Sequence, residues 1–201
     1  MKFKLYFVIC FVLNLTNSYA QEYEDYDCGW YGTKTVAKRN KLFPFNEARK
    51  ILLLSYLPKF YEVLKGADTT DTELTNHVIK EWDIKLEDFK VRYLIKEEIE
   101  LNEAWKNQLS HVLVNYKPKK DPGESYVVTT AGCYNPRNAI LFLNSNNTVI
   151  CCLEICFECR GSVMEPDPNG FNKYVDIEEC HPRLNELLFI FRKNGIIYGV
   201  E

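Results

Sequence analysis

Apolar residues recur at helical spacing in four stretches of the chain and follow strand-like patterns in several others. In FNEARKILLLSY, Asn46 stands where it can accept the free N–H groups of a helix start and Phe45 where it can staple onto the first turns. Ala48, Ile51, Leu52 and Ser55 then share one helical face, which predicts a helix ended or kinked at Pro58. TTDTELTNHVIKEW sets Leu74, Val78 and Trp82 at spacing four behind threonine and aspartate caps, and predicts a second, shorter helix. FKVRYLI alternates Phe89, Val91, Tyr93 and Ile95 with polar neighbours and predicts a half-buried strand. LNEAWKNQLSHVLVNY returns to helical spacing through Trp105, Leu109, Val112, Leu113 and Tyr116, with Asn102 as its cap.

The pattern changes after KPKKDPGES, residues 117 to 125, where charge, two prolines and a glycine mark a linker. YVVTTAGCY follows. PRNAILFL and TVICCLEICF then flank Asn144-Ser145-Asn146-Asn147, two β-prone runs around four turn formers, which predicts an antiparallel hairpin. GSVMEPDPNGFNKY is a proline- and glycine-rich loop. Leu184, Leu187, Leu188 and Phe191 predict a last helix from 183 to 193, with Asn194-Gly195 as a left-handed stop. The expected fold class is α+β: N-terminal helices packed on a small antiparallel sheet with a central hairpin, residues 137 to 157, and a C-terminal helix. Residues 28 to 201 form a single domain in this reading, with a helical part at 45–116 and a hairpin and cysteine part at 126–201.

The N-terminus adds a compartment. Lys2 and Lys4 precede an apolar run from Leu5 to Leu13, and Ser18-Tyr19-Ala20 supplies small residues, so residues 1–20 read as a secretory signal peptide cleaved after Ala20. The run is far short of the roughly 20 residues a membrane-spanning helix needs, and no later segment is long and uncharged enough, so no integral membrane segment is expected in the mature chain. QEYEDYD, residues 21–27, reads as a flexible leader. The whole chain has 25 Lys and Arg against 28 Asp and Glu, a net charge of −3, which falls to −5 without Lys2 and Lys4. That balance argues against nucleic acid or an anionic membrane as the main partner and leaves a protein partner open. The exported chain is placed in the periplasm, the cell envelope or the extracellular space.

Export favours disulfides over free thiols. Of the 8 cysteines, one, Cys10, leaves with the signal, and the remaining odd number requires a free thiol or an interchain bond. On the second hairpin strand, alternation puts Cys152, Glu154 and Cys156 on one face and Cys151, Leu153, Ile155 and Phe157 on the other. Cys151 then reads as a small buried hydrophobe and Cys152 as the free thiol. Cys156-Phe157-Glu158-Cys159 is a C-x-x-C with three readings. As a redox pair it lacks the following helix whose dipole would lower a thiol pKa. As half of a zinc site, with Cys133 and Cys180 or His181, it lacks a second knuckle. As structural elements, Cys133, Cys156, Cys159 and Cys180 form two bridges that pin the hairpin to the loop and the last helix, with three possible connectivities and about 3–4 kcal/mol from each. The structural reading is favoured, and Cys28 is left unpaired or linking two chains.

Other chemistry is sparse. His77, His111 and His181 stand far apart, and no catalytic triad, P-loop, metalloprotease or dinucleotide motif occurs. Glu97, Glu98, Glu100 and Glu103 read as a solvated acidic face. Arg137, in CYNPRNAI before the first hairpin strand, is brought by the expected hairpin to the strand end that carries Cys156 and Cys159. There it would bind an anion, stabilise a thiolate, or pair with Glu158 or Glu154, the ion pair being favoured.

CYNPRNAILFLNSNNTVICCLEICFEC, with its Cys-aromatic-x-Pro-Arg entry and closing Ile-Cys-Phe-Glu-Cys, resembles an uncharacterised family of small exported bacterial proteins. LNEAWKNQLSHVLVNY and the last helix with Gly195-Ile196 extend the resemblance over roughly residues 90–197. The resemblance implies that Cys133, Pro136, Arg137, Cys156 and Cys159 belong together, and it implies no activity. The expected function is that of a non-enzymatic structural or protein-binding module stabilised by disulfides. The alternatives are a thiol-dependent redox protein using Cys156 and Cys159, and a zinc-stabilised binding domain; otherwise no cofactor is expected, and the sequence points to no small-molecule ligand.

Overall fold

Two apolar runs, ILLLSYL and NAILFL, lie side by side at the centre of the sheet. The computed structural model describes residues 28–58, 82–119, 135–174 and 182–200. Within them, strand β2 (Lys50–Pro58) pairs antiparallel with β6 (Asn138–Leu143), Leu53 facing Ile140 across the ladder. On its other edge β2 pairs with β4 (Tyr93–Glu100), and β6 pairs with β7 (Thr148–Cys156) around a turn at Asn144–Asn147. β7 carries two short partners on its far side, β3 (Ile84–Lys85) and β8 (Gly161–Glu165). All these pairings are antiparallel, and the sheet order is β3-β7-β6-β2-β4 with β8 also on β7. A separate two-stranded ribbon joins β1 (Cys28–Gly29) to β5 (Lys117–Pro118).

The fold is therefore α+β, with three corrections to the expected placement of its elements, the first being that residues 161–165 of the predicted loop form strand β8. The predicted first helix is strand β2. Ile51 and Leu53 enter one core and Leu52, Leu54 and Tyr56 the opposite one, so the run is apolar on both faces because both are covered. A continuous apolar run of this length carries no period that separates such a strand from a buried helix. The predicted strand at 89–95 is half helix: α2 (Leu86–Arg92) runs directly into β4, and Val91 is 69% exposed rather than buried beside Phe89. Leu86, Phe89 and Tyr93 follow helical spacing, and Glu87 and Asp88 at the start with Lys90 and Arg92 at the end complement the helix dipole. The part expected to be helical thus supplies two of the sheet's long strands, and the sheet is larger than anticipated.

One face of the sheet is covered by α3 (Glu103–Asn115) and α4 (Pro182–Lys193). The side chain of Asn102 accepts the N–H of Trp105 at 3.0 Å, which satisfies one free donor at the start of α3. Leu109, Val112 and Leu113 of α3 and Leu187, Ile190 and Phe191 of α4 pack with Leu53, Ile140, Phe142, Cys151, Leu153 and Ile155. Truncating a fully buried leucine such as Leu53 to alanine costs about 2–5 kcal/mol in such a core. On the other face Phe89 and Tyr93 pack against Leu54, Tyr56, Leu141 and Cys152. A short helix, α1 (Val36–Arg39), is held to α3 by Arg39, whose Nε donates to Ser110 Oγ at 3.0 Å and whose Nη2 donates to the Asn107 carbonyl.

The signal, the leader, most of the predicted helix at 69–82, residues 120–125 of the linker, and Cys133, Cys180, His77 and His181 lie outside the described residues. No helix among the described residues is long and apolar enough to cross a membrane.

Candidate functional site at the Cys156 corner

β7 ends at Cys156, opposite Gly161 at the start of β8, and the chain reverses through Phe157, Glu158, Cys159 and Arg160. Arg160 takes a positive φ of 55° to complete the reversal. Within this turn Cys156 and Cys159 are joined as a disulfide, with Cα atoms 5.2 Å apart. Cys156 is only 2% exposed, whereas Cys159 is partly exposed. The backbone N–H of Cys159 donates to Cys156 Sγ at 3.2 Å.

This bridge is one of the pairings left open for the four cysteines, of which Cys133 and Cys180 lie outside the described residues. It closes a four-residue turn and does not tie the hairpin to the last helix, so it constrains little of the unfolded chain. Cys28 is also disulfide-bonded rather than unpaired. Cys151 and Cys152 are both buried and face opposite cores. Burial, aided by Asp167, pushes the Cys151 thiol far above its ordinary range, and its sulfur lies 3.6 Å from the Pro166 carbonyl, so it behaves as an inert core residue. The sulfurs of Cys156 and Cys159 are bonded to each other and are not thiolates offered to a metal.

Arg137 reaches the same corner from the start of β6. Its Nη2 lies 3.8 Å from Glu158 Oε2, with the two side chains 41% and 80% exposed. An ion pair this long and this wet is worth little, and it engages one of the guanidinium's three nitrogens. Glu154, the other acid considered for Arg137, accepts the Tyr56 hydroxyl at 2.8 Å. Its pKa is raised by burial, with Glu165 adding to the rise and the Tyr56 hydrogen bond opposing it.

The far wall is the C-terminal tail. Together Asn135, Arg137, Cys156, Phe157, Tyr198 and Gly199 enclose a cavity of about 310 Å³ beside Glu158. The tail is held by polar contacts. Glu97 accepts the N–H groups of Ile197 and Tyr198, both at 3.1 Å, and the Ser55 hydroxyl. Asn138 Nδ2 donates to the Tyr198 carbonyl at 3.0 Å, and Arg192 Nε donates to the Val200 carbonyl at 2.9 Å. Burial alone would raise the Glu97 pKa, but the hydrogen bonds from Ser55, Tyr198 and Ile197 outweigh it and hold it below the usual value.

Arg137 and Cys156 line one cavity, Cys159 is not among its lining residues, and Cys133 and Cys180 are not among the described residues. The tail's share of the site had no signal in the pattern, because Glu97 sits in a run of acids that reads as solvated and its partners are backbone groups a hundred residues away. Gly199 carried a weak signal, a second glycine four residues after the helix stop. Among known proteins, the chain matches no family model, no curated protein and no solved structure.

Proposed function

We propose that this chain is an exported protein of the periplasm, cell envelope or extracellular space that acts, without enzymatic activity, as a disulfide-stabilised structural or protein-binding module. The observation that carries the binding role is the corner itself: an arginine with one long ion pair among the described residues opens on a cavity walled by Phe157, Tyr198 and the buried Cys156. A partner segment that offers a carboxylate to Arg137 and an apolar side chain to Phe157 fits this chemistry. Export is supported by the lysine-led apolar run from Leu5 to Leu13 with its small-residue ending at Ala20, and by the resemblance to small exported bacterial proteins.

The test uses the mature protein as bait on envelope extracts, alongside Arg137→Glu. A partner captured by the wild type and lost with the charge reversal, at unchanged melting temperature, supports the reading. Identical capture by both baits sinks it. N-terminal sequencing of exported material should begin at Gln21, and retention of residues 1–20 in the cell interior would remove the export half of the proposal.

A further inference from the structure

We infer that the Cys156–Cys159 bridge is a thiol–disulfide exchange site with a fixed direction, in which an incoming thiolate attacks Cys159 and Cys156 leaves. Exchange needs the attacking sulfur to approach along the S–S axis, from outside the sulfur that is attacked. Cys159 is partly exposed on the turn, so that approach comes from solvent. Cys156, at the end of a central strand, is only 2% exposed and meets solvent at most through the cavity it shares with Arg137, so the more exposed Cys159 is the sulfur an incoming thiolate reaches first.

The leaving side is equally asymmetric. Cys156 Sγ already accepts the Cys159 N–H at 3.2 Å, a contact that strengthens when the sulfur becomes a thiolate. Arg137, which lines the same cavity as Cys156, adds positive potential; Glu158, inside the four-residue loop, opposes it. Burial of Cys156 also works against its thiolate, so access decides the attacked sulfur and the N–H eases departure of the other.

The thiolate of a glutathione-type monothiol or of a protein dithiol donates its electron pair to Cys159 Sγ. The S–S bond breaks with its pair going to Cys156 Sγ, leaving a mixed disulfide on Cys159 and a thiolate at Cys156. A second thiolate then attacks the mixed disulfide, so that a dithiol is oxidised to its disulfide and the bridge is reduced by two electrons. The order is the reverse of a C-x-x-C at a helix start, where the first cysteine is the exposed one. One exchange per molecule suits a covalent tether or a switch on a binding module, and requires no turnover.

The oxidised mature protein, folded in native buffer, is exposed to reduced glutathione, quenched in acid and alkylated with iodoacetamide. A glutamate-specific protease that cuts after Glu158 separates the two cysteines for mass spectrometry. Glutathione on Cys159 with the alkyl group on Cys156 should exceed the reverse labelling by about tenfold or more. Reverse or equal labelling overturns the direction, and a bridge that opens only in denaturant overturns the exchange site. Single variants extend the test with oxidised glutathione: Cys156→Ser should take up one glutathione at Cys159, and Cys159→Ser should take up none at Cys156 while folded. Uptake by both at equal rates counts against the proposal.

Discussion

The carboxylate of Glu97 accepts the backbone N–H of Tyr198 at 3.1 Å, fastening the C-terminal tail to an edge strand a hundred residues earlier in the chain. Glu97→Gln keeps the shape but gives up the charge on hydrogen bonds from Ser55, Ile197 and Tyr198. A loss of about 1 kcal/mol is expected, at the low end for charged hydrogen bonds because the site meets solvent. The folded-state pKa lies below the ordinary value, so the stabilisation is present above the unfolded carboxylate range and is lost as pH falls through the folded pKa. Urea titrations at neutral and acid pH check this: the gap between wild type and variant should close in acid, and a gap independent of pH would refute it.

Glu154 gives the opposite slope. Burial raises its pKa, so between the unfolded and folded values the native state binds more protons, and stability falls as pH rises through that window. Tyr56→Phe removes the hydroxyl that supports the carboxylate and should deepen the fall, whereas Glu154→Gln should flatten it. Melting temperatures across weakly acidic to neutral pH read both effects, and parallel curves for all three proteins would count against this assignment.

Gly199 and Gly195 form a matched pair. Both have positive φ, 74° and 89°, but a Cβ at Gly199 would lie 2.6 Å from Asn138 Oδ1 and 2.9 Å from Arg137 Cβ, while one at Gly195 meets nothing within 4 Å. Gly195→Ala should cost about 1 kcal/mol, the conformational term alone. Gly199→Ala should cost clearly more and should also widen the cavity at Arg137, because the tail must move off Asn138. Equal losses in chemical denaturation would show that the close approach does not matter.

Removing the turn's bridge should be mild. For a four-residue loop the chain-entropy model gives about 2 kcal/mol, less than the 3–4 kcal/mol expected of long-range bridges. Cys156→Ser with Cys159→Ser should therefore remain folded, with a lowered urea midpoint and near-UV circular dichroism retained. Failure of the double variant to fold would show that the bridge organises more than its own turn.

His111 stacks on Trp30, with ring centroids 4.5 Å apart, and its Nδ1 lies 2.9 Å from Asn115 Nδ2. Burial first, then Arg39, lowers its pKa against the opposing pull of Glu186. The unfolded chain therefore takes up its proton at higher pH than the folded one, and stability rises with pH between the two values. Trp30 fluorescence followed down in pH should change only below the ordinary histidine range; a transition at that range would contradict the lowered pKa.

The sequence pattern carried the α+β class because long helices and turn-bounded β runs leave different periods. Trp105, Leu109 and Val112 coincide with α3, and the turn formers Asn144–Asn147 lie between β6 and β7. ILLLSYL was unreadable in isolation, since a strand covered on both faces has no alternation, and its cover includes α3, α4 and Phe89 from elsewhere in the chain. Of the corner, Arg137 and the C-x-x-C were legible because they are local in sequence. Glu97 and the tail were not, since what joins them is side chain to backbone, and backbone groups leave no residue signature.

The position of β2 between β4 and β6 changes what the charged segment after residue 117 divides. β2 and β4 come before it and β6 and β7 after it, yet they form one continuous ladder. A backbone cut between residues 119 and 135 would sever the sequence without separating the sheet, leaving two peptides that complement each other and co-elute until denatured and reduced. Expressed alone, the earlier peptide would bare the apolar edge of β2, and the later one would lack α3 over its core. One sheet runs through both halves, whereas sequence composition alone makes them look like neighbours.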